Sequence, residues 1–413
     1  MSRLVIICLV FILSSPINAE SAKPPLILLS VDGFSHDYLT TYHPKNILNF
    51  AKTGVVAKLL PVYPSKTFPN HLSIITGVYP QKHGLLHNKF YHPGLGEMYR
   101  LGAGKNNSAW LTAKSLWSIA EENKITSAVY FWPESEVIGQ GRQPTYNIPY
   151  NRTATDKEHF DQIIDWLKLP NSKAPKLILS YFSSVDDAGH NFGLGSVELA
   201  QAITNIDDMI GKFMKRLQQE IPQPVNVILL SDHGMVQIDR MKNIKTSMVF
   251  NDTLKKMITD KMITVAQSST QLYVYFAENM LIKQQKSVVE QIKLQQKINS
   301  NLYLVYHKKN YPEHWEFNTN LEITPDLVIE AEPSATFINE KYAHSNLATH
   351  GYDPINQDEL NAVFLASGPD FIIGKEIAPF ENIHIVPLMA HLLGLKPLDN
   401  IDGKFEILSP IIK

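Results

Sequence analysis

The chain has 413 residues, and its 38 Lys and Arg against 40 Asp and Glu leave a net charge of −2. With 44% apolar and 19% charged residues the composition is globular, and no bulk charge is available to grip nucleic acid or an acidic membrane. The single cysteine, Cys8, excludes a disulfide framework, a zinc finger and an iron–sulfur cluster.

In chain order, Arg3 and the apolar run 4–13 come first, broken by Ser14, Ser15 and Pro16, with a cleavage point after Ala19. This pattern predicts a secretory signal peptide over residues 1–19, because a membrane span needs about 20 apolar residues. The expectation is an exported chain, periplasmic or secreted. It has no membrane anchor once the leader, with Cys8, is removed.

A short continuous apolar run over 26–31 then ends at Asp32-Gly33. Residues 43–53 carry Ile47, Leu48, Phe50 and Ala51 at helical spacing and stop at Gly54. Pro64-Ser65-Lys66-Thr67-Phe68-Pro69-Asn70-His71 is a dense turn that opens a helix. Helical periods recur over 112–121, 155–168 and 196–219. The last carries Val197, Ala200, Ile203, Ile206, Ile210, Phe213 and Leu217 on one stripe. Between them the run 176–182 precedes Asp186 and His190, and the run 225–230 ends at Asp232-His233-Gly234. Residues 237–345 break this rhythm. Apolar runs at 271–276 and 302–306 flank a polar helix near 281–298, which predicts a smaller α+β insertion. His350-Gly351 precedes a strand at 362–366, and a helix at 381–395 follows.

Apolar runs without polar alternation read as strands buried on both faces. Their alternation with helices predicts an α/β fold, a doubly wound and mostly parallel central sheet flanked by helices. One domain, 20–413, with 237–345 inserted, accounts for the length. Ligands of such sheets bind at the carboxyl ends of the strands. Asp32, Asp186, His190, Asp232, His233 and His350 all fall at such ends. Three carboxylates and three imidazoles without a thiolate suit zinc or another borderline divalent metal. Six ligands are too many for one tetrahedral ion and match two ions with three each. Two dications against three carboxylates leave one net positive charge, suited to a phosphodiester monoanion. Thr67 at a helix start sits among free N–H groups that favour an anion, although a plain N-cap is the simpler reading of that segment alone. The other histidines, His71 and His87 among them, read as structural or solvated.

Taken together, Ser30-Val31-Asp32-Gly33-Phe34, Lys66-Thr67-Phe68-Pro69-Asn70-His71, His83-Gly84-Leu85-Leu86-His87-Asn88, Asp186-x-x-Gly189-His190, Ser231-Asp232-His233-Gly234 and His350-Gly351-Tyr352 resemble, in type and order, the nucleotide pyrophosphatase/phosphodiesterases of the alkaline phosphatase superfamily. The resemblance implies an alkaline phosphatase-like fold and a minimal, bacterial-type catalytic domain. It implies two zinc ions, one held by Asp32, Asp232, His233 and Thr67, the other by Asp186, His190 and His350. Thr67 is then the nucleophile that becomes phosphorylated, and Asn88 binds a non-bridging phosphoryl oxygen. Phe68 packs at the leaving-group side, Tyr146 stacks on a nucleobase, and Phe131-Trp132-Pro133 line the same wall. The partner it implies is a nucleotide or other small phosphodiester, such as a nucleoside triphosphate or a dinucleotide cleaved to a nucleoside monophosphate. His87 stands where many relatives have Asp, and Leu194 where Pro is usual. Within the same fold, a lysophospholipase C or glycerophosphodiester-type enzyme is the alternative, and would need an aromatic and acidic cage for its ammonium. A sulfatase would need a formylglycine motif that is missing. The remote alternative is a non-catalytic, metal-stabilised binding protein.

Overall fold

The continuous apolar runs become strands because each has a hydrophobic core on both faces. A computed structural model describes residues 23–137, 141–317, 320, 322–340, 346–355 and 357–413. The leader read at 1–19 lies outside them. At the centre of a nine-stranded sheet is Leu26–Val31, fully buried. It pairs in parallel with Leu177–Phe182 on one side and Asn226–Leu230 on the other. Beyond the first lie Ser127–Tyr130 and Tyr146–Ile148. Beyond the second lie Ala362–Ser367, Val55–Leu60 and two short edge strands. Every pairing is parallel except the two made by Ala362–Ser367. That reversed strand starts where the others end. The chain before it therefore arrives at the shared carboxyl edge.

The period-two alternation of the strands divides their side chains between two cores. Leu26, Leu28, Leu177, Leu179, Ile228 and Leu230 face one cluster, with Leu72, Ile74 and Ile75 of the helix Thr67–Thr76. Ile27, Leu29, Ile178, Val227 and Leu229 face the other, with the helices Lys45–Lys52, Asp156–Leu167 and Val197–Glu220. Helices on both faces make the sheet doubly wound. On Val197–Glu220 the stripe is Leu199, Ile203, Ile206, Ile210, Phe213 and Leu217. Val197 is not on it. It is the first helical residue and is 81% exposed.

Residues 237–345 contain a four-stranded antiparallel sheet in the order Ile263–Gln267, Gln271–Phe276, Leu327–Ala331, Tyr303–His307, with the helices Asp252–Thr259 and Ile282–Ile298. Glu330 ties this sheet to the loops of the site. It accepts from the Tyr63 hydroxyl at 2.7 Å and from the Asp353 N–H at 2.6 Å. Burial raises its carboxyl from the ordinary 4.5 to about 8. Below pH 4.5 it is protonated whether the chain is folded or not, and its favourable contribution is complete. Between 4.5 and 8 only the unfolded chain ionises it, so stability falls as pH rises, by roughly 4–5 kcal/mol in all. Glu330→Gln should therefore gain stability relative to the parent as pH rises from 5 to 9 in thermal melts. A variant with the parent's pH profile would show that Glu330 is ionised in the fold.

Candidate metal and nucleophile site

Each predicted ligand is delivered by the end of an element. Asp32 follows Leu26–Val31, and Asp232-His233 follow Asn226–Leu230. Asp186 and His190 lie one turn apart on the helix Ser184–Phe192, which follows Leu177–Phe182. His350 follows the short strand Ala348–Thr349, which pairs with Val236–Gln237. Gly33 allows the close approach of two of these ends. Its φ is +69°, and a Cβ there would lie 3.0 Å from Asp186 Cα and Cβ.

The six side chains converge. The His233 Nε2 is 3.4 Å from Asp32 Oδ1 and 3.0 Å from Asp232 Oδ2. The His350 Nε2 is 3.7 Å from Asp186 Oδ1, and the His190 Nε2 is 3.3 Å from Asp186 Oδ2. Ligand atoms of Asp32, Asp232 and His233 lie within 4.8 Å of one another, as do those of Asp186, His233 and His350. His233 thus borders both groups, because its ring stacks on His350 at 3.6 Å, while His190 reaches Asp186 from the outer side.

The chemistry of this set fits metal ions. Asp32 Oδ1, Asp186 Oδ1 and Asp232 Oδ2 are buried with no hydrogen-bond partner, a costly arrangement unless a cation lies among them. Burial, then the charges of Asp232 and Asp186, push the Asp32 carboxyl well above its usual range. All three imidazoles have Nδ1 against a backbone carbonyl: His190 with Ala348 at 2.8 Å, His233 with Gly234 at 3.0 Å, His350 with Ser65 at 2.8 Å. Each Nδ1–H is thereby the donor, and each Nε2 lone pair turns inward as a ligand. Burial, with His233, Lys66 and His190 nearby, holds His350 far below its ordinary value, in the neutral form that binds metal.

Thr67 is the first residue of its helix, with its Oγ1 3.2 Å from His233 Nε2. The Phe68 N–H donates to Asn88 Oδ1 at 3.0 Å, which fixes the amide plane of Asn88 beside Thr67. His87 is buried and pairs its Nε2 with Gln271 Oε1 at 3.1 Å, so the Asn88 turn is tied to the four-stranded sheet.

Tyr146 is the residue that the fold does not bring here. Its hydroxyl donates to the Lys173 carbonyl at 3.0 Å and its ring lies beside Trp166. It opens the strand Tyr146–Ile148 and so faces the amino end of the sheet, away from the ligands. Tyr150, past the carboxyl end of that strand, is 49% exposed and packs on Phe131 at 4.6 Å. Trp132 is core, with its Nε1–H on the His71 carbonyl at 3.1 Å.

Three supporting residues stand outside the predicted site, although Lys66 and His71 lie within one of its motifs. Tyr181 donates to Asp32 Oδ2 at 2.5 Å. His71 places Nδ1 2.9 Å from the Thr67 carbonyl and 3.3 Å from Asp232 Oδ2, and Nε2 2.8 Å from Ser30 Oγ. The four-residue spacing from Thr67 to His71 on one helix was the available signal. Lys66 is buried, with Nζ on the His350 carbonyl and 3.1 Å from Ser269 Oγ, and burial lowers its ammonium to about 7.

A family model described as type I phosphodiesterase/nucleotide pyrophosphatase matches residues 26–353. An uncharacterized pyrophosphatase/phosphodiesterase of Schizosaccharomyces pombe is 33% identical, over 94% of this chain and 80% of its own. The venom phosphodiesterase of Naja atra is 32% identical over 95% of this chain, and the bovine ectonucleotide pyrophosphatase/phosphodiesterase family member 3 is 32% identical over 94%. This chain spans 46% and 44% of those two proteins. The solved structure of murine ectonucleotide pyrophosphatase/phosphodiesterase 5 superposes with a TM-score of 0.84 at 24% identity, covering 94% of this chain and all of that one. Among the described residues no helix is long and apolar enough to cross a membrane.

Proposed function

We infer that this chain, which belongs to the type I phosphodiesterase/nucleotide pyrophosphatase family, is an exported, two-zinc hydrolase that cleaves nucleotide phosphodiester or pyrophosphate bonds through a phosphothreonine. Phosphodiester hydrolysis is the activity of the family; zinc, the covalent step, nucleotide substrates and export are our reading. The catalytic domain in this reading is 20–413, with 237–345 as an inserted subdomain. The observation that supports it is the gathering of three unpartnered carboxylate oxygens with the Nε2 atoms of His233 and His350, His190 against Asp186, and the Thr67 hydroxyl 3.2 Å from His233 Nε2.

Asp32, Asp232, His233 and Thr67 would hold one ion, and Asp186, His190 and His350 the other. Bound zinc would lower the pKa of the Thr67 hydroxyl and offset the charge that develops on the phosphoryl group. Thr67 Oγ attacks phosphorus in line. The Oγ–P bond forms as the bond to the leaving oxygen breaks, and the electron pair departs with that oxygen. Water then cleaves the Oγ–P bond from the vacated side, which restores the hydroxyl and releases a nucleoside monophosphate. Two inversions give net retention. Asn88, with Oδ1 fixed by Phe68, turns its Nδ2–H donors to a non-bridging oxygen. Phe68 packs beside the bound ester.

Tyr150 replaces Tyr146 as the proposed base-stacking ring, supported by its exposure and by its packing on Phe131. Removing a base–aromatic stack should raise KM about tenfold for Tyr150→Ala. A larger KM effect from Tyr146→Ala would reverse this assignment. The structure of an inactive variant of murine family member 5 in complex with AMP is consistent with a nucleotide in such a fold.

The lysophospholipase reading meets an obstacle. The aromatic and acidic cluster of Tyr63, Trp315, Glu330 and Asp353 is filled by its own rings, with Tyr63 stacked on Trp315 at 3.9 Å. One panel tests the function: turnover of the nitrophenyl esters of TMP, phosphocholine and phosphate, with and without a chelator. Chelator-sensitive preference for the TMP ester is expected, and preference for phosphocholine would overturn the nucleotide reading.

A further inference from the structure

Gln271 opens the strand Gln271–Phe276 of the inserted sheet and is buried between two turns of the site. One turn carries Asn88. His87, the residue before it, accepts the Lys89 N–H on Nδ1 at 3.2 Å, so its proton sits on Nε2 and is donated to Gln271 Oε1 at 3.1 Å. The His87 ring packs edge-on against Tyr273 of the same strand, with 5.3 Å between centroids. The other turn carries His350. The Gln271 Nε2 donates to the carbonyl of Gly351, the residue after it. Gly351 has a φ of +115°, and a Cβ there would lie 2.5 Å from Thr270 Oγ1 and 2.1 Å from Lys66 Cε. Only glycine lets this turn press so close to Thr270 and Gln271.

One orientation of the Gln271 amide satisfies both turns. The donor on His87 requires the oxygen, and the Gly351 carbonyl requires the nitrogen. An aspartate at position 87 would set an acceptor against that oxygen, so His87 and Gln271 are matched to each other. We propose that Gln271 is a positioning residue, through which the inserted subdomain holds the phosphoryl-binding turn at Asn88 and the metal-binding turn at His350 in one register. The proposal rests on the phosphodiesterase reading, which gives Asn88 and His350 their roles, and it assigns residues 237–345 a part in the reaction. Asn88 Oδ1 is fixed by the Phe68 N–H and His350 Nδ1 by the Ser65 carbonyl, both from the segment of the nucleophile. Gln271 adds the constraint from a distant part of the chain, and acts on each turn through the neighbour of the working residue.

The test uses zinc-loaded protein and the nitrophenyl ester of TMP. Gln271→Met keeps the length of the side chain and removes both hydrogen bonds. It should lower kcat about tenfold with KM within about twofold, as expected when contacts made in the transition state are disturbed. In an Asn88→Ala background the same change should cost less than about threefold, because the group it positions is gone. An equal loss in both backgrounds, or none in either, overturns the coupling. His87→Phe keeps the packing on Tyr273, breaks one of the two bonds and should lower kcat alike. Deuterium exchange reads the turns without turnover. Gln271→Met should raise uptake in both 83–90 and 347–353 while 272–276 and 327–331 keep the parent's uptake, and His87→Phe should raise it in 83–90 alone. If the parent does not hydrolyse the ester yet exchange follows this pattern, the positioning role stands and the phosphodiesterase reading falls. Parental uptake in both turns of Gln271→Met overturns the role whatever the activity. A rise spread through 272–276 and 327–331 marks a merely structural residue and overturns it as well.

Discussion

Thr67→Ala should lower turnover of a nucleotide diester by at least about 10⁴-fold while the chain remains folded, as expected when a nucleophile is removed from a site whose other parts stay in place. The structure gives reasons for both halves. The substitution removes one hydroxyl and one methyl from a side chain at the first turn of a helix, and its N-cap Lys66 makes no side-chain cap. The Thr67 carbonyl, which faces His71, belongs to the backbone and survives. The Asn88–Phe68 hydrogen bond is likewise untouched. Thermal unfolding should therefore shift by no more than about 1 kcal/mol. Thr67→Ser keeps an oxygen at the same place and should recover most of the lost rate. Acid quench of the parent during turnover of a phosphorus-labelled substrate should leave label on the Thr67 peptide, and Thr67→Ala should leave none. Residual activity within tenfold of the parent would remove the covalent step from the mechanism.

The sheet was legible because buried parallel strands have an unmistakable composition. Leu26–Val31, Leu177–Phe182 and Asn226–Leu230 are built on apolar runs, broken only by Ser30, Ser180, Tyr181 and Asn226, since both faces are covered. Val55–Leu60, partly exposed with Lys58 in its middle, has no such run and escaped the sequence reading. Ser127–Tyr130 is too short to stand out. The convergence of the carboxylates and imidazoles was legible for a related reason: Asp32, Asp232, His233 and His350 follow strands within three residues, and Asp186 and His190 lie on the helix after one, so position in the chain becomes position at the sheet edge. The position of Tyr146 was not legible because a tyrosine at the start of a strand and one just past its end are four residues apart in sequence and at opposite edges in space. Tyr181 and His71 act through contacts at separations of 149 and 161 residues, with Asp32 and Asp232, and no local pattern announces such contacts.

Chelation should cost stability as well as activity, and should cost more at high pH. Of the three carboxylates packed beside one another, Asp232 is held, against its burial, well below its usual range by His233 and His71, whereas Asp32 and Asp186 are tolerable only when protonated or when cations lie among them. Burial raises the Asp186 carboxyl, and burial with the neighbouring carboxylates raises Asp32 further. In the metal-free chain these raised groups contribute favourably at pH values below the ordinary carboxylate range, and that contribution is lost as pH rises through their folded values. Metal binding follows the opposite course, because it requires ionised carboxylates and neutral imidazoles. The difference in melting temperature between zinc-loaded and chelated protein should therefore widen from pH 5 to pH 8. Two sites each filled at about 100 times their dissociation constant would together add on the order of 5 kcal/mol. For a chain of this length that is a shift of roughly 5–10 °C. Asp232→Asn, which removes a charge at the group shared with His233, should lower the measured zinc content and narrow the difference. A chelated protein that melts with the loaded one at pH 8 would mean that the carboxylate cluster is satisfied without metal, and the two-zinc reading would fail on structural grounds before any activity was measured.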